Sequence, residues 1–194
     1  MGRALFTAIA VVLLAMPAAP QDTYFSFDSA PGTWVGQGFT DYSVAPSNGW
    51  SISAERNNDN GVTFDITRDA GPDPNMSNYF WRLDLAAPFN ADLTPGFYDE
   101  TARWPFQDTD QPGLTLSGNH RGNNRNGGFF EVLEAEYGPG GEVLRFAVNF
   151  TQYGEEQESR WITGQLRYNA TVPEPGSAML CALGGAALLR RRRR

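Results

Sequence analysis

The amino-acid sequence predicts an all-β fold, a two-sheet antiparallel sandwich or jelly roll of about eight or nine strands, with a leader before it and a short transmembrane helix after it. Three observations carry this. Apolar and polar residues alternate with period two through the middle of the chain, as half-buried strands require. Clusters of turn-forming residues separate the alternating runs. Pro72, Pro74, Pro88, Pro95, Pro105 and Pro112 interrupt the stretches where a long helix could be attempted.

Taken in order, Tyr24 to Phe27 is the first strand and Trp50 to Ala54 the second. The segment Arg56-Asn57-Asn58-Asp59-Asn60-Gly61 tolerates positive φ and reads as a hairpin turn. Beyond it Val62, Phe64 and Ile66 alternate with Thr63, Asp65 and Thr67, and then Trp81, Leu83 and Leu85 alternate with Arg82 and Asp84. Leu114 to Leu116 and Phe129 to Tyr137 follow. Gly138-Pro139-Gly140-Gly141 forms a second turn, leading into Leu144, Phe146, Val148 and Phe150, which alternate with Val143, Arg145, Ala147 and Asn149. Trp161 to Tyr168 closes the set. In extended chain each apolar set falls on one face, so one side is buried and the other meets water.

The two ends read as addresses. Residues 1–20 have the layout of a secretory signal peptide: Arg3, an uncharged apolar run from Ala4 to Met16, then Ala18 and Ala19. That run spans roughly 20 Å as a helix, short of a hydrocarbon core of about 30 Å. The domain then occupies residues 21–170 and the tail residues 171–194. In the tail, Pro173, Glu174 and Pro175 precede an apolar segment from Gly176 to Leu189 and a terminal cluster, Arg190, Arg191, Arg192, Arg193 and Arg194. The cluster stays cytoplasmic by the positive-inside rule while the bulk of the chain is exported.

This tail resembles the PEP-CTERM sorting domain, the signal read by exosortases in the membranes of Gram-negative bacteria. The resemblance covers only about the last 23 residues. It implies signal peptidase and exosortase as processing partners. It also implies transient anchoring through the C-terminal helix, release to the cell surface or medium, and company with exopolysaccharide. Pro173, Glu174 and Pro175 would be the sorting motif and Arg190 to Arg194 the membrane stop. The middle of the chain is similar to exported bacterial proteins of unknown function. Pro95-Gly96-x-Tyr98, Arg103-x-Pro105-Phe106, Pro112-Gly113-Leu114, Ser117-Gly118, Arg121-Gly122 and Gly164-x-x-Arg167-Tyr168-Asn169 carry that likeness. It implies a Cys near Asn123 and another near Gly154 bridging two strands, and this chain has neither.

Composition excludes several classes. Between Asp22 and Val172, 9 Arg face 21 acidic residues, a net charge of −12, and there is no Lys. Phosphate backbones would repel such a domain, which argues against nucleic-acid binding. With one Cys (Cys181) and one His (His120), no internal disulfide, Cys-rich zinc site or Cys-His dyad can form.

The remaining chemistry is sparse. His120 reads as a solvent-exposed loop residue, without the Gly-x-Ser-x-Gly elbow that would hold a nucleophile. Asp99, Glu100, Glu131, Glu134 and Glu136 lie near strands, where a glycosidase would need two converging acids, but they read mainly as solvated faces. The run Glu155-Glu156-Gln157-Glu158 reads as a charged loop. Asn57, Asn58, Asp59, Asn60, Asp69 and Asp73 supply oxygen for one structural calcium, although Arg56 stands where an EF-hand needs a ligand. Among the tryptophans, Trp81 is expected in the core, and Trp104, flanked by Arg103 and Pro105, is the best exposed candidate for glycan contact. No catalytic residue, metal ligand or cofactor is assigned. These readings predict an exported, exosortase-sorted surface or matrix protein with a non-catalytic ectodomain. A carbohydrate-binding module for exopolysaccharide is the alternative, and a glycan-active hydrolase a second one.

Overall fold

The computed structural model describes residues 22–68 and 79–172. These residues contain ten strands, three short 3-10 turns and no α-helix. The strands are β1 (Asp22–Ser29), β2 (Tyr42–Val44), β3 (Ser51–Arg56), β4 (Val62–Arg68), β5 (Tyr79–Ala86), β6 (Gly96–Tyr98), β7 (Gly113–Gly118), β8 (Asn126–Tyr137), β9 (Val143–Gly154) and β10 (Trp161–Ala170). They form a six-stranded sheet, β2-β1-β10-β9-β8-β6, and a four-stranded sheet, β3-β4-β5-β7, both antiparallel. The fold is therefore all-β with two sheets, and it has ten strands rather than eight or nine. The additional pair, β2 and β6, has three residues each and forms the two edges of the larger sheet. Edges this short expose few unpaired backbone groups to other chains.

The leader, Asp69 and Asp73, Pro173 to Pro175, the apolar tail and Arg190 to Arg194 lie outside the described residues. Among the described residues no helix is long and apolar enough to cross a membrane.

Period-two alternation builds the core. Phe25 and Phe27 of β1, Phe146, Val148 and Phe150 of β9, and Ile162 and Leu166 of β10 point inward from the larger sheet. Phe64 and Ile66 of β4, Trp81, Leu83 and Leu85 of β5, and Leu114 and Leu116 of β7 meet them from the smaller one. Rings join across the interface: Phe64 lies 5.4 Å from Phe146, and Trp81 lies 4.8 Å from Phe27. The Trp81 indole N–H donates to the Tyr42 hydroxyl at 2.9 Å. Gly118 is the register partner of Trp81, and a Cβ there would sit 2.1 Å from the indole ring. The glycine of the Ser117-Gly118 pair is thus the space into which the largest core ring fits.

Two polar side chains stitch the sheets. The Gln152 amide, fully buried on β9, accepts from the Leu116 N–H at 2.6 Å and donates to the Leu116 carbonyl at 3.1 Å. Asn126 Nδ2 donates to the Leu114 carbonyl at 3.3 Å. Both satisfy backbone groups of β7, the end strand of the smaller sheet.

One face assignment differs from expectation. Leu144 is exposed and Val143 is buried, the reverse of the simple alternation. The β8–β9 register shifts between Val132 and Glu134 and again between Glu136 and Tyr137. At the first the extra residue is Leu133 of β8; at the second it is Leu144 of β9, and this bulge reverses the facing of Val143 and Leu144.

Candidate functional site

The outer face of the six-stranded sheet carries the site. Because Phe25, Phe27, Phe150, Ile162 and Leu166 point inward, their neighbours Ser26, Asp28, Asn149, Thr163, Gln165 and Arg167 point outward. Register then aligns them. Ser43, Ser26, Gln165 and Asn149 form one row across β2, β1, β10 and β9, and Glu131 of β8 and Phe97 of β6 continue it. Asp28, Thr163, Thr151 and Phe129 form the adjacent row. Four strands span about 14 Å at the usual spacing. A groove of about 850 Å³ lies over this region, lined by Tyr24, Ser26, Asp28, Ser43, Asn149 and Gln165 among others.

Arg167 fixes the floor of the groove. Its side chain is 1% exposed. One guanidinium nitrogen donates to the Val148 and Leu166 carbonyls at 2.8 and 3.0 Å. The other donates to Asn149 Oδ1 at 2.8 Å and Gln165 Oε1 at 3.2 Å. A cation can only donate, so both amides must turn their oxygens toward it. Their nitrogens then carry N–H donors with no partner among the described residues. Near the other end Asp28 Oδ1 accepts from the Asp41 backbone N–H at 2.6 Å. The Thr151 and Thr163 hydroxyls pair at 3.0 Å. The groove thus combines fixed amide donors, carboxylate acceptors and hydroxyls, a set that matches a polyhydroxylated ligand. Of these residues only Arg167 belonged to a motif noted in the sequence.

The residues that did stand out are scattered. Trp104 is half-buried rather than exposed. The β6–β7 connection folds back onto the smaller sheet, where the Thr115 hydroxyl donates to the Trp104 carbonyl at 3.2 Å and the buried indole N–H has no hydrogen-bond partner among the described residues. The exposed tryptophans are Trp34, at 58%, and Trp161, at 36%. His120 is exposed in a turn, edge-on to Phe80 at 5.1 Å.

The acids do not converge as a group. Asp99 and Glu100 border a shallow depression with Asp108 and Asp110. Glu131 belongs to the outer face. Glu134 binds the Thr171 N–H at 2.8 Å and its hydroxyl at 2.9 Å, and Glu136 pairs with Arg145 at 2.5 Å. Glu155 accepts from the Asn124 N–H at 2.8 Å, and Glu156 pairs with Arg125 at 3.2 Å.

Two of the residues offered for calcium, Asn57 and Asp59, hydrogen-bond within the fold. Asn57 Oδ1 accepts from the Asp59 and Gly61 N–H groups at 3.1 and 2.9 Å, and Asp59 Oδ2 accepts from Gln107 at 3.0 Å. Among the described residues no group of three or more His, Cys, Asp or Glu is arranged to hold a metal ion.

Burial raises the Asp84 carboxyl above the ordinary carboxylate range, against hydrogen bonds from Thr63 and Arg82 that hold it down. This group faces away from the groove, on the smaller sheet beside its register partner Thr63. Burial likewise raises the Tyr137 hydroxyl to about 12. Its O–H donates to the Leu93 carbonyl at 3.0 Å, and the Arg56 guanidinium lies 4.5 Å above the ring.

Asn123 and Gly154 are neighbours. A Cβ built at Gly154 would lie 3.3 Å from Asn123 Cγ. Comparison with known proteins found no family model, no curated protein and no solved structure that matches this chain.

Proposed function

We propose that this chain is an exported, non-catalytic surface protein that binds polysaccharide in the groove on its six-stranded sheet. Its C-terminal tail, through Pro173, Glu174 and Pro175, is the sorting signal that delivers it. The observation that carries the binding reading is the pair of Asn149 and Gln165 amides, turned by the buried Arg167 so that their N–H groups meet the groove. Fixed donors flanked by Asp28 and Asp41 acceptors suit the alternating donors and acceptors of sugar hydroxyls. The groove is open and broad, which suits holding a chain rather than enclosing a reacting bond.

The test is equilibrium binding of the full chain to a panel of soluble polysaccharides, with Asn149→Ala and Gln165→Ala beside it. Binding that falls about fivefold or more in the double variant is expected, from the loss of two hydrogen bonds of about 0.5–1.5 kcal/mol each. Wild-type binding to none of the panel, or binding indifferent to both substitutions, contradicts the reading.

A further inference from the structure

We propose that an oblique row of aromatic side chains beside the groove, Phe97, Phe129, Tyr153 and Trp161, is a platform on which consecutive rings of an uncharged polysaccharide stack. The inference rests on the groove being a glycan site, and it adds the length and the charge class of the ligand.

The row is built by register. Phe97, Phe129, Tyr153 and Trp161 come from β6, β8, β9 and β10, four adjacent strands. All four belong to the outward set, alternating with the buried Phe130 of β8 and with Phe150 and Ile162 of β9 and β10. Phe97 and Phe129 lie 5.5 Å apart, and Phe129 and Tyr153 6.5 Å apart. Trp161 is the register partner of Tyr153. Trp161 also stands two residues from Thr163, and Phe97 ends the same transverse row as Asn149 and Gln165. The platform and the groove therefore form one continuous surface.

Cross-strand pairing explains the contacts between the rings. It does not explain why Phe97 keeps 61% and Trp161 36% of their surface in water. A ring with an open face stacks on the C–H face of a pyranose, whose partially positive hydrogens meet the negative face of the π-system. Successive rings at about one strand spacing then meet successive sugars, while the hydroxyl edge of the chain reaches the amides of the groove.

The charge pattern selects the occupant. Asp28, Asp41 and Glu131 border the groove side of this surface, Arg160 stands exposed beside Trp161, the Glu156–Arg125 pair lies by Gly127 opposite Tyr153, and Arg167 beneath the groove is buried and engaged with carbonyl and amide oxygens. A polyuronate would meet repulsion from Asp28, Asp41 and Glu131, which outnumber the one exposed cation beside the platform, Arg160. An uncharged chain meets none.

The experiment measures binding of the full chain to linear uncharged gluco-oligosaccharides of increasing length, and to polyuronate oligosaccharides of matched length. The variants are Phe97→Ala and Trp161→Ala, with Asn149→Ala and Gln165→Ala as groove controls. Unchanged thermal unfolding midpoints verify that the exposed-ring variants fold. Affinity for the uncharged series is expected to rise with length. Each ring variant is expected to lose about fivefold on the longest member and nothing on the shortest, while the groove variants lose on all lengths. Ring variants that keep the wild-type length dependence overturn the platform and leave the groove standing. Wild type that binds no oligosaccharide overturns both. A preference for the polyuronates that fades with salt overturns the charge class. Self-association that disappears in the ring variants, with glycan binding unchanged, assigns the row to a second copy of the chain and overturns the proposal.

Discussion

Replacing Gly118 with Ala tests the packing between the sheets. The backbone at Gly118 does not have positive φ, so Ala adds no backbone strain. The effect is steric, because the new Cβ falls 2.1 Å from the Trp81 ring. Neither partner can retreat easily. Gly118 exchanges backbone hydrogen bonds with Arg121 at 3.0 and 2.9 Å. Trp81 is held by the Tyr42 hydroxyl at 2.9 Å and by Phe27 and Tyr42 rings at 4.8 and 5.5 Å. Overpacking a core that cannot relax costs about 3 kcal/mol, the upper end of the usual range. Loss of glycine freedom in the unfolded chain returns about 0.4–1 kcal/mol. The net expectation is a loss of about 2 kcal/mol, or roughly 4–8 °C in Tm for a domain of this size. Urea unfolding followed by circular dichroism measures it. The decisive arm repeats the substitution in a Trp81→Leu background, where the added methyl enters vacated space and its cost is expected to vanish. The same cost in both backgrounds would refute the contact as its source.

Three further outcomes are expected. Asp84 has a raised native pKa, so its contribution to stability is complete below the ordinary carboxylate range and is lost as pH rises through the native value. Asp84→Asn does not titrate, so its stability relative to wild type should climb over that window and then level off; a flat or falling difference in unfolding free energy contradicts this. Asn123→Cys with Gly154→Cys, in a Cys181→Ser background, should form a disulfide on air oxidation, because the two side-chain positions already touch. The bridge should add about 3–4 kcal/mol; two thiols still titratable after oxidation would disprove the proximity. Glu174→Ala should block maturation of the exported chain, and an unchanged processed mass in cells would remove the sorting role.

Much of the fold was legible in the sequence, and the site was not. Eight strands announced themselves because each has enough residues to show alternation, as Val62 to Ile66 and Trp81 to Leu85 do. Tyr42-Ser43-Val44 and Gly96-Phe97-Tyr98 are too short for a period to emerge, and only pairing with Phe25 and Phe130 makes them strands. Leu144 followed the pattern and ended on the wrong face, because it is itself the extra residue of a bulge in β9 opposite Glu136 and Tyr137. The groove was illegible for a different reason. Ser26, Asp28, Asn149, Thr163 and Gln165 are ordinary polar residues on the wet side of their strands. Only the topology, which seats β10 between β1 and β9, makes them one surface. Trp104 attracted notice by its irregular surroundings, yet that same loop folds back and half-buries it.

The most direct measurement is amide chemical-shift mapping of the isotope-labelled full chain during titration with a linear uncharged gluco-oligosaccharide. Perturbations are expected to gather on Ser26, Asp28, Asn149, Thr163 and Gln165 and to extend to Phe129 and Trp161. Perturbations gathered instead around Trp104 on the four-stranded sheet, or around Trp34 and Arg121, would contradict it.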